Sequence, residues 1–232
     1  MPVAIITGAS RGLGRALAEA LAARGWDLVL DARGAQALAE TAKAVSGYGT
    51  RVEAAPGDVT DTAHRAGLVA AARKLGGLDL LVNNAGILGA EPLVPLGSHA
   101  LDGFRAALET NVVAPLGLLQ EALPLLRAAP AGAVVNLSSD AAVEAYRTWG
   151  GYGATKAALD QLSAVLAVEE PGLRIWWIDP GGIRTDMLAA AEPDEDLSGT
   201  PTPEEIAPAF LRLLDKRPAS SRYTAAALLE SR

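Results

Sequence analysis

A tyrosine and a lysine four positions apart, Tyr152 and Lys156, are the most informative pair of side chains in this 232-residue chain. Residues at this spacing lie one above the other on the same face of a helix. A phenol, with an ordinary pKa near ~10, transfers protons poorly at neutral pH, and a neighbouring ammonium favours its phenolate form. The spacing therefore predicts a proton-transfer pair in which Lys156 lowers the pKa of Tyr152.

Three glycines near the N-terminus, Gly8, Gly12 and Gly14, follow a short apolar run and precede an Ala/Leu-rich helical pattern. Glycine permits a tight turn and a close approach of the backbone, and the N-terminus of a helix presents amide donors to a pyrophosphate. Such a loop can also join a strand to a helix for packing reasons alone. Its strand–turn–helix context favours the binding of a phosphate-bearing cofactor.

The end of the second predicted strand carries both groups that distinguish one dinucleotide from another. An acid there binds a free ribose 2′-hydroxyl, whereas an arginine neutralises a 2′-phosphate. Asp31 and Arg33 share a face of the strand, and Arg11 adds a second cation from the glycine loop. Two converging arginines favour NADP(H), with NAD(H) as the alternative. Arginines that are solvated or that pair with Asp31 would give the same sequence.

Composition excludes several other functions. The net charge of −7 argues against a nucleic-acid surface, and the absence of cysteine excludes disulfides, thiolate metal sites and a cysteine nucleophile. Only two histidines occur, His64 and His99, so no metal centre is expected. No apolar run reaches the ~20 residues of a membrane span, and the chain begins without a basic leader. We therefore expect a cytoplasmic protein that does not enter membranes.

Short β-branched runs alternate with Ala/Leu-rich stretches along the chain, which predicts an α/β fold with a doubly wound, Rossmann-type parallel sheet of about seven strands. The predicted strands are 3–7, 27–32, 51–55, 78–83, 133–137, 173–179 and an edge strand at 223–229. The predicted helices are 13–24, 35–45, 62–75, 98–128, 152–168 and 204–215. We expect one nucleotide-binding domain over residues 1–232. Acidic residues, proline and glycine at 186–203 indicate either a mobile substrate loop or an ordinary connection.

Together these motifs resemble the short-chain dehydrogenase/reductase family in its single-domain form. Residues 7–14 resemble its cofactor loop, and 180–185 are similar to the segment that holds the nicotinamide carboxamide. The catalytic tetrad has its counterparts in Asn111, Ser139, Tyr152 and Lys156. The cofactor contacts that the resemblance implies are Gly8, Ser10, Arg11, Gly12, Leu13, Gly14, Arg33, Asp58, Val59, Asn84, Ala85, Gly86, Tyr152, Lys156, Pro180, Gly181, Ile183 and Thr185.

The resemblance implies an oxidoreductase that transfers a hydride between NADP(H) and a small carbonyl or alcohol, with Tyr152 as general acid/base. Ser139 would bind the substrate oxygen, with Ser138 as the competing candidate. Lys156 would bind the nicotinamide ribose, and Asn111 would hold a water or make structural hydrogen bonds only. A dimer through the helices near Asn111 and Tyr152 is expected. The alternative function is a catalytically silent, dinucleotide-sensing regulatory protein.

Overall fold

In the computed structural model, which describes residues 1–230, seven parallel strands form one sheet. The strands are β1 Val3–Ile6, β2 Asp27–Ala32, β3 Val52–Pro56, β4 Leu80–Asn83, β5 Ala133–Leu137, β6 Arg174–Asp179 and β7 Ser221–Thr224. Their order across the sheet is β3-β2-β1-β4-β5-β6-β7. The doubly wound, Rossmann-type α/β fold that the alternating sequence pattern predicts is thereby confirmed.

Nine α-helices accompany these strands within residues 1–230. They are α1 Gly12–Ala22, α2 Ala35–Ser46, α3 Thr62–Leu75, α4 Leu101–Leu108, α5 Ala114–Ala128, α6 Gly150–Glu169, α7 Asp186–Ala191, α8 Pro203–Lys216 and α9 Ala225–Glu230. Successive strand residues point to opposite faces of the sheet, so both faces acquire a core. In β1, Ile6 packs with side chains of α1, α2 and α8, whereas Ile5 packs with side chains of α3 and α5.

The helical stretch predicted at 98–128 is not one continuous helix. A 3₁₀ turn at Leu96–Ser98 precedes α4, and a π-helical turn at Glu109–Val113 separates α4 from α5. A π turn widens the backbone by one residue, and such turns are frequent at functional sites. The candidate residue Asn111 lies inside this turn.

The strand order reverses between β1 and β4. From β1 the chain adds β2 and β3 on one side, and it then returns to place β4 on the other side of β1. In open α/β sheets ligands bind at this switch point, beyond the carboxyl ends of the strands. The segments that follow β1 to β6 contain the predicted site residues. The topology therefore assembles motifs that are far apart in the sequence.

One prediction about the C-terminal part was wrong. The segment 223–229 is not one edge strand, because β7 ends at Thr224 and α9 follows at once. Its run of alanines and leucines favours a helix, and the Thr224 hydroxyl accepts a hydrogen bond from the Ala227 amide at 3.2 Å. The predicted loop 186–203 begins with a helix, α7. Within residues 1–230, none of the helices combines the length and the apolar character that crossing a membrane requires.

Candidate active site

A cavity of about 1170 Å³ lies beyond the carboxyl ends of the strands. Most of the predicted site residues line it: Gly8, Ser10, Arg11, Gly12, Leu13, Arg33, Asp58, Val59, Asn84, Ala85, Gly86, Ser139, Tyr152, Lys156, Pro180, Gly181, Ile183 and Thr185. The two exceptions are Gly14 and Asn111, which lie behind the cavity wall. The fold thus brings residues from the segments after six different strands to one space.

The glycine loop between β1 and α1 requires glycine for two different reasons. Gly8 and Gly12 have φ values of 66° and 54°, a region that L-residues with side chains rarely adopt. Gly14 is required by close packing, because a Cβ atom there would lie 2.3 Å from the Gly8 carbonyl oxygen. The loop is therefore held tightly against the start of α1.

Thr7 and Asn84 fix this loop to the next strand of the sheet. The Thr7 hydroxyl accepts hydrogen bonds from the amides of Asn84 and Ala85, both at 3.0 Å. The Asn84 side-chain amide donates to the carbonyls of Thr7 and Gly8 at 2.8 and 3.1 Å. Sequence reasoning did not assign Thr7 a role, although its position directly before the glycines was a usable signal.

The N-terminus of α1 is suited to bind a pyrophosphate. No side chain caps the first turn of this helix, so its leading amide groups remain available to an anion. Gly12 and Leu13, the first two residues of this helix, line the cavity. A phosphate-bearing dinucleotide therefore fits the residues that are present.

The two arginines expected at the adenosine ribose both line the cavity but have different surroundings. Arg11 forms an exposed ion pair with Asp186, with its Nη1 2.8 Å from Oδ2. Arg33 is exposed beside the cavity and lowers the pKa of Asp58, although hydrogen bonds from Thr60 lower this pKa more. Asp31 pairs with neither arginine. Its Oδ1 lies 2.6 Å from Nε2 of His64 on α3.

Tyr152 and Lys156 lie on one face of α6, as the spacing predicts, and both are buried at the cavity. The Lys156 Nζ atom is 5.5 Å from the centroid of the Tyr152 ring and donates a hydrogen bond to the Leu137 carbonyl at 2.6 Å. Gly153 lets α6 approach the loop after β5, because a Cβ atom there would lie 2.4 Å from the Ala141 carbonyl oxygen. These contacts bring the phenol next to the end of β5.

The pKa of Tyr152 is raised in the structure, opposite to the direction expected from the sequence. Burial has the largest effect, and the charges of Asp140 and Asp179 add to it. Burial also lowers the pKa of Lys156 to about 8. The Lys156 ammonium donates its hydrogen bond to the Leu137 carbonyl rather than to the phenol hydroxyl. Without a bound coenzyme it therefore does not counteract the rise in the pKa of Tyr152 that burial causes.

Ser139 and Ser138, the two candidates for binding the substrate oxygen, differ in their partners. The Ser139 hydroxyl faces the cavity and donates to Oδ1 of Asp140 at 3.0 Å. Ser138 also lines the cavity, but its side chain is buried and hydrogen-bonded to Asp160. The geometry therefore favours Ser139. Asp140, which sequence reasoning did not assign to catalysis, adds a carboxylate beside it.

Asn111 is fully buried, and each polar atom of its side chain already has a protein partner. Oδ1 accepts from the Ile87 amide, and Nδ2 donates to the Ile87 carbonyl and to the Thr155 hydroxyl, each at 2.9 Å. The side-chain amide therefore has no donor left for a water. Any contribution to a proton path must come from the backbone of the π turn that contains it.

The segment after β6 lines the cavity and lies next to the glycine loop, since Arg11 of that loop pairs with Asp186. Asp179 accepts a hydrogen bond from the Gly181 amide at 2.9 Å, which fixes the turn. The Thr185 hydroxyl caps α7 by accepting from the Leu188 amide at 3.3 Å. Arg222 of β7 braces the same region, donating to the Ser139 carbonyl at 2.9 Å and to Asp179 at 3.3 Å. The sequence did not predict this role for Arg222, because its partners Ser139 and Asp179 are distant from it in the sequence.

Comparison with known proteins agrees with this architecture. A sequence model of the family described as short chain dehydrogenase matches residues 2–196. The chain is 36% identical over 179 residues to the rhamnolipids biosynthesis 3-oxoacyl-[acyl-carrier-protein] reductase of Pseudomonas aeruginosa, covering 75% of this chain and 68% of the relative. It is 32% identical over 223 residues to the glycine betaine reductase ATRR of Emericella nidulans, covering 91% of this chain but only 17% of that protein.

A solved structure gives the same result for the fold. A short chain dehydrogenase of Shigella flexneri, complexed with NADP, superimposes with a TM-score of 0.91 at 30% identity and covers 97% of both chains. The chain belongs to the short chain dehydrogenase family. The resemblance inferred from its motifs is confirmed, and the family consists of oxidoreductases that use nicotinamide dinucleotides.

Proposed function

We propose that this protein is an NADP(H)-dependent oxidoreductase that interconverts a small carbonyl compound and its alcohol. The observation that carries the proposal is the placement of Tyr152 and Lys156, one helical turn apart, in the cavity that also contains the uncapped N-terminus of α1. A bound nicotinamide supplies or accepts the hydride. The complex of the Shigella flexneri relative with NADP supports the choice of coenzyme.

Each residue of the site then has a defined task. Tyr152 donates a proton to the substrate oxygen during reduction and removes it during oxidation. Ser139 donates a hydrogen bond to the same oxygen, once its hydroxyl has turned from Asp140. Lys156 binds the nicotinamide ribose and supplies positive charge to a site in which burial disfavours the phenolate.

The substrate side of the cavity is largely apolar. Its lining includes Leu88, Tyr146, Trp149, Met187 and Leu188, with Arg147 and Asp140 as polar groups. We propose an apolar or aromatic carbonyl compound as the substrate class, because such walls bury a hydrophobic body while a few polar groups orient it. In this proposal the segment 186–203, including α7, closes over the bound substrate.

The proposed assembly is a homodimer through the outer faces of α5 and α6. Val113, at the end of the π turn, and Leu116, on α5, are 46% and 36% exposed, and on α6 Val165 and Val168 are 43% and 80% exposed. Exposed apolar side chains on adjacent helices suit burial against a second copy of the chain. Light scattering coupled to size-exclusion chromatography tests this, and a Val168→Glu variant should then be monomeric.

An absorbance assay of the reduced nicotinamide tests the proposed function. NADPH and NADH are offered separately with a panel of aldehydes, ketones and quinones. We expect oxidation of NADPH by at least one apolar carbonyl compound. Oxidation of NADH alone would overturn the coenzyme preference. Binding of a coenzyme without oxidation by any compound would favour a dinucleotide-sensing protein.

A further inference from the structure

An arginine of strand β7, Arg222, contacts three segments next to the proposed catalytic residues. Its Nε donates to Oδ2 of Asp160 on α6 at 3.2 Å, and its Nη2 donates to Oδ2 of Asp179 at the end of β6 at 3.3 Å. The same Nη2 donates to the Ser139 carbonyl at 2.9 Å. One guanidinium therefore joins α6, β6 and the turn after β5, which its planar fork of donors permits.

Arg222, Asp160 and Asp179 form a cluster of charges, the Arg222 cluster, that is mostly withdrawn from water. The three side chains are 24%, 12% and 10% exposed, so salt screens their charges less than those of surface pairs. Arginine is always a cation, and aspartates, with an ordinary pKa near ~3.9, are carboxylates above neutral pH. Burial raises the pKa of Asp160, while Ser138, Arg222 and Lys156 act against this rise. The cluster therefore holds one positive and two negative charges.

Each carboxylate of the Arg222 cluster acts on one member of the proton-transfer pair. Asp160 lies one helical turn after Lys156 on α6, and its charge favours the ammonium, against the larger effect of burial on the pKa of Lys156. Asp179 disfavours the phenolate of Tyr152, since its charge adds to the effect of burial on the pKa of that phenol. Arg222 thus lies against both carboxylates that influence the pair.

The pair also has charged neighbours outside the Arg222 cluster. Asp140, which accepts a hydrogen bond from Tyr146, acts on the phenol from the turn after β5. Other charged or titratable residues on the segments around this part of α6 are His99, Asp102, Arg105, Glu109, Glu144 and Arg147. All of them are common to the wild type and to variants of Arg222, so a difference between these proteins reports the substitution at Arg222.

We propose that Arg222 is a positioning residue for proton transfer, which holds Asp160 and Asp179 against its guanidinium and offsets their charge beside the catalytic pair. Without this cation, the pair would face two carboxylates with no charge to offset them. The ammonium of Lys156 would then release its proton less readily, and the phenol of Tyr152 would ionise at a higher pH. The inference rests on the proposed function for the role of Tyr152, whereas the charge balance is measurable in the free protein.

The first test is a titration of Lys156 by nuclear magnetic resonance, without coenzyme. The chain contains only four lysines, so the side-chain signals of isotope-labelled lysine are few, and Lys156→Met identifies the buried one. The pKa of Lys156, about 8 in the wild type, should rise by about 0.3 to 1 pH unit in Arg222→Gln, which removes the cation. In Arg222→Lys, which retains the charge, it should stay within about 0.2 pH unit of the wild type.

The second test is the pH dependence of alcohol oxidation, with a substrate that the absorbance assay identifies. The midpoint should rise by about 0.3 to 1 pH unit in Arg222→Gln and should not move in Arg222→Lys. A purely structural loss would lower kcat at every pH and leave the midpoint in place. Arg222→Gln combined with Asp179→Asn removes one charge of each sign, so the midpoint of this double variant should return to that of the wild type or below.

Arg24→Gln is the matched control. Arg24 pairs with Asp215 at 2.7 Å, just after the end of α1 that points away from the cavity. Its substitution removes one cation and one ion pair but should change neither the pKa of Lys156 nor the midpoint. Thermal unfolding verifies that each variant is folded. Should Arg222→Gln alone not fold, the double variant is compared with Asp179→Asn, and the same rise in the pKa of Lys156 is expected.

The outcomes distinguish this inference from the proposed function. An unchanged or lowered pKa of Lys156 in Arg222→Gln would overturn the inference, and so would an equal rise in Arg222→Lys, because the charge would then not be the cause. An unmoved midpoint in Arg222→Gln would overturn the role in proton transfer, although the enzyme is active. A raised pKa of Lys156 in a protein that turns over no carbonyl compound or alcohol would support the charge balance, and the proposed function would fail instead.

Discussion

The buried ammonium of Lys156 should make the stability of the free protein depend on pH in a specific direction. Burial lowers its pKa from 10.5 to about 8. Between these values the unfolded chain binds more protons than the folded chain, so the free energy of unfolding rises with pH across this window. At 1.36 kcal/mol per pKa unit, the full difference is about 3 kcal/mol.

Lys156→Met removes this titration. From pH about 7 to about 9.5, the wild type should gain about 2 kcal/mol of unfolding free energy relative to the variant. At neutral pH the variant avoids burying a charge but leaves the Leu137 carbonyl without its donor, a cost of about 1–3 kcal/mol. At neutral pH the lost hydrogen bond offsets the gain from not burying a charge, so the two proteins can have similar unfolding free energies. The test is therefore how the difference in unfolding free energy between wild type and Lys156→Met changes with pH.

Urea unfolding without coenzyme, followed by circular dichroism at several pH values, measures this slope. Lys43→Met, which replaces an exposed lysine on α2, is the matched control and should show no such pH-dependent difference. A difference between the wild type and Lys156→Met that stays constant from neutral to alkaline pH would refute the reasoning. A slope of opposite sign would mean that the lysine is stabilised as a cation.

Three further substitutions test other parts of the site. Gly14→Ala should destabilise the protein by about 1–3 kcal/mol and weaken coenzyme binding, because the new Cβ would lie 2.3 Å from the Gly8 carbonyl oxygen; an unchanged melting temperature would contradict the packing argument. Asp140→Asn should move the pH midpoint of alcohol oxidation downward, since this carboxylate raises the pKa of the phenol; an upward shift would exclude that influence. Ser139→Ala should lower kcat by about 10²–10³ with unchanged coenzyme affinity, and equal activity would remove Ser139 from the mechanism.

Much of this architecture could be predicted from local sequence. The alternation of apolar runs and helical stretches gave β2, α3 and β5 with the bounds that the structure shows. These elements carry strong periodicity and clear start signals, such as Asp61 capping α3 by accepting from the Ala63 amide. The tail was mispredicted because Ala225–Glu230 is apolar enough for a strand, and only its helical propensity and its packing on α8 decide the outcome.

The sequence predicted a set of residues that the fold brings to one cavity, but it did not predict their contacts. Positions in the glycine loop and on α6 follow from spacing, since motif residues are close in the sequence. The partner of Asp31 lies 33 positions away on α3, and no local pattern identifies His64 as that partner. The raised pKa of Tyr152 likewise depends on burial and on Asp140 and Asp179, which only the folded chain brings near the phenol.

The account depends most directly on Tyr152 as the proton-transfer group beside a bound nicotinamide. The decisive measurement compares turnover and NADPH affinity of Tyr152→Phe with those of the wild type, on a carbonyl compound identified by the absorbance assay. We expect kcat to fall by about 10²–10⁴ while the dissociation constant of NADPH changes by less than about threefold. Turnover at the wild-type rate with NADPH still bound would contradict this assignment.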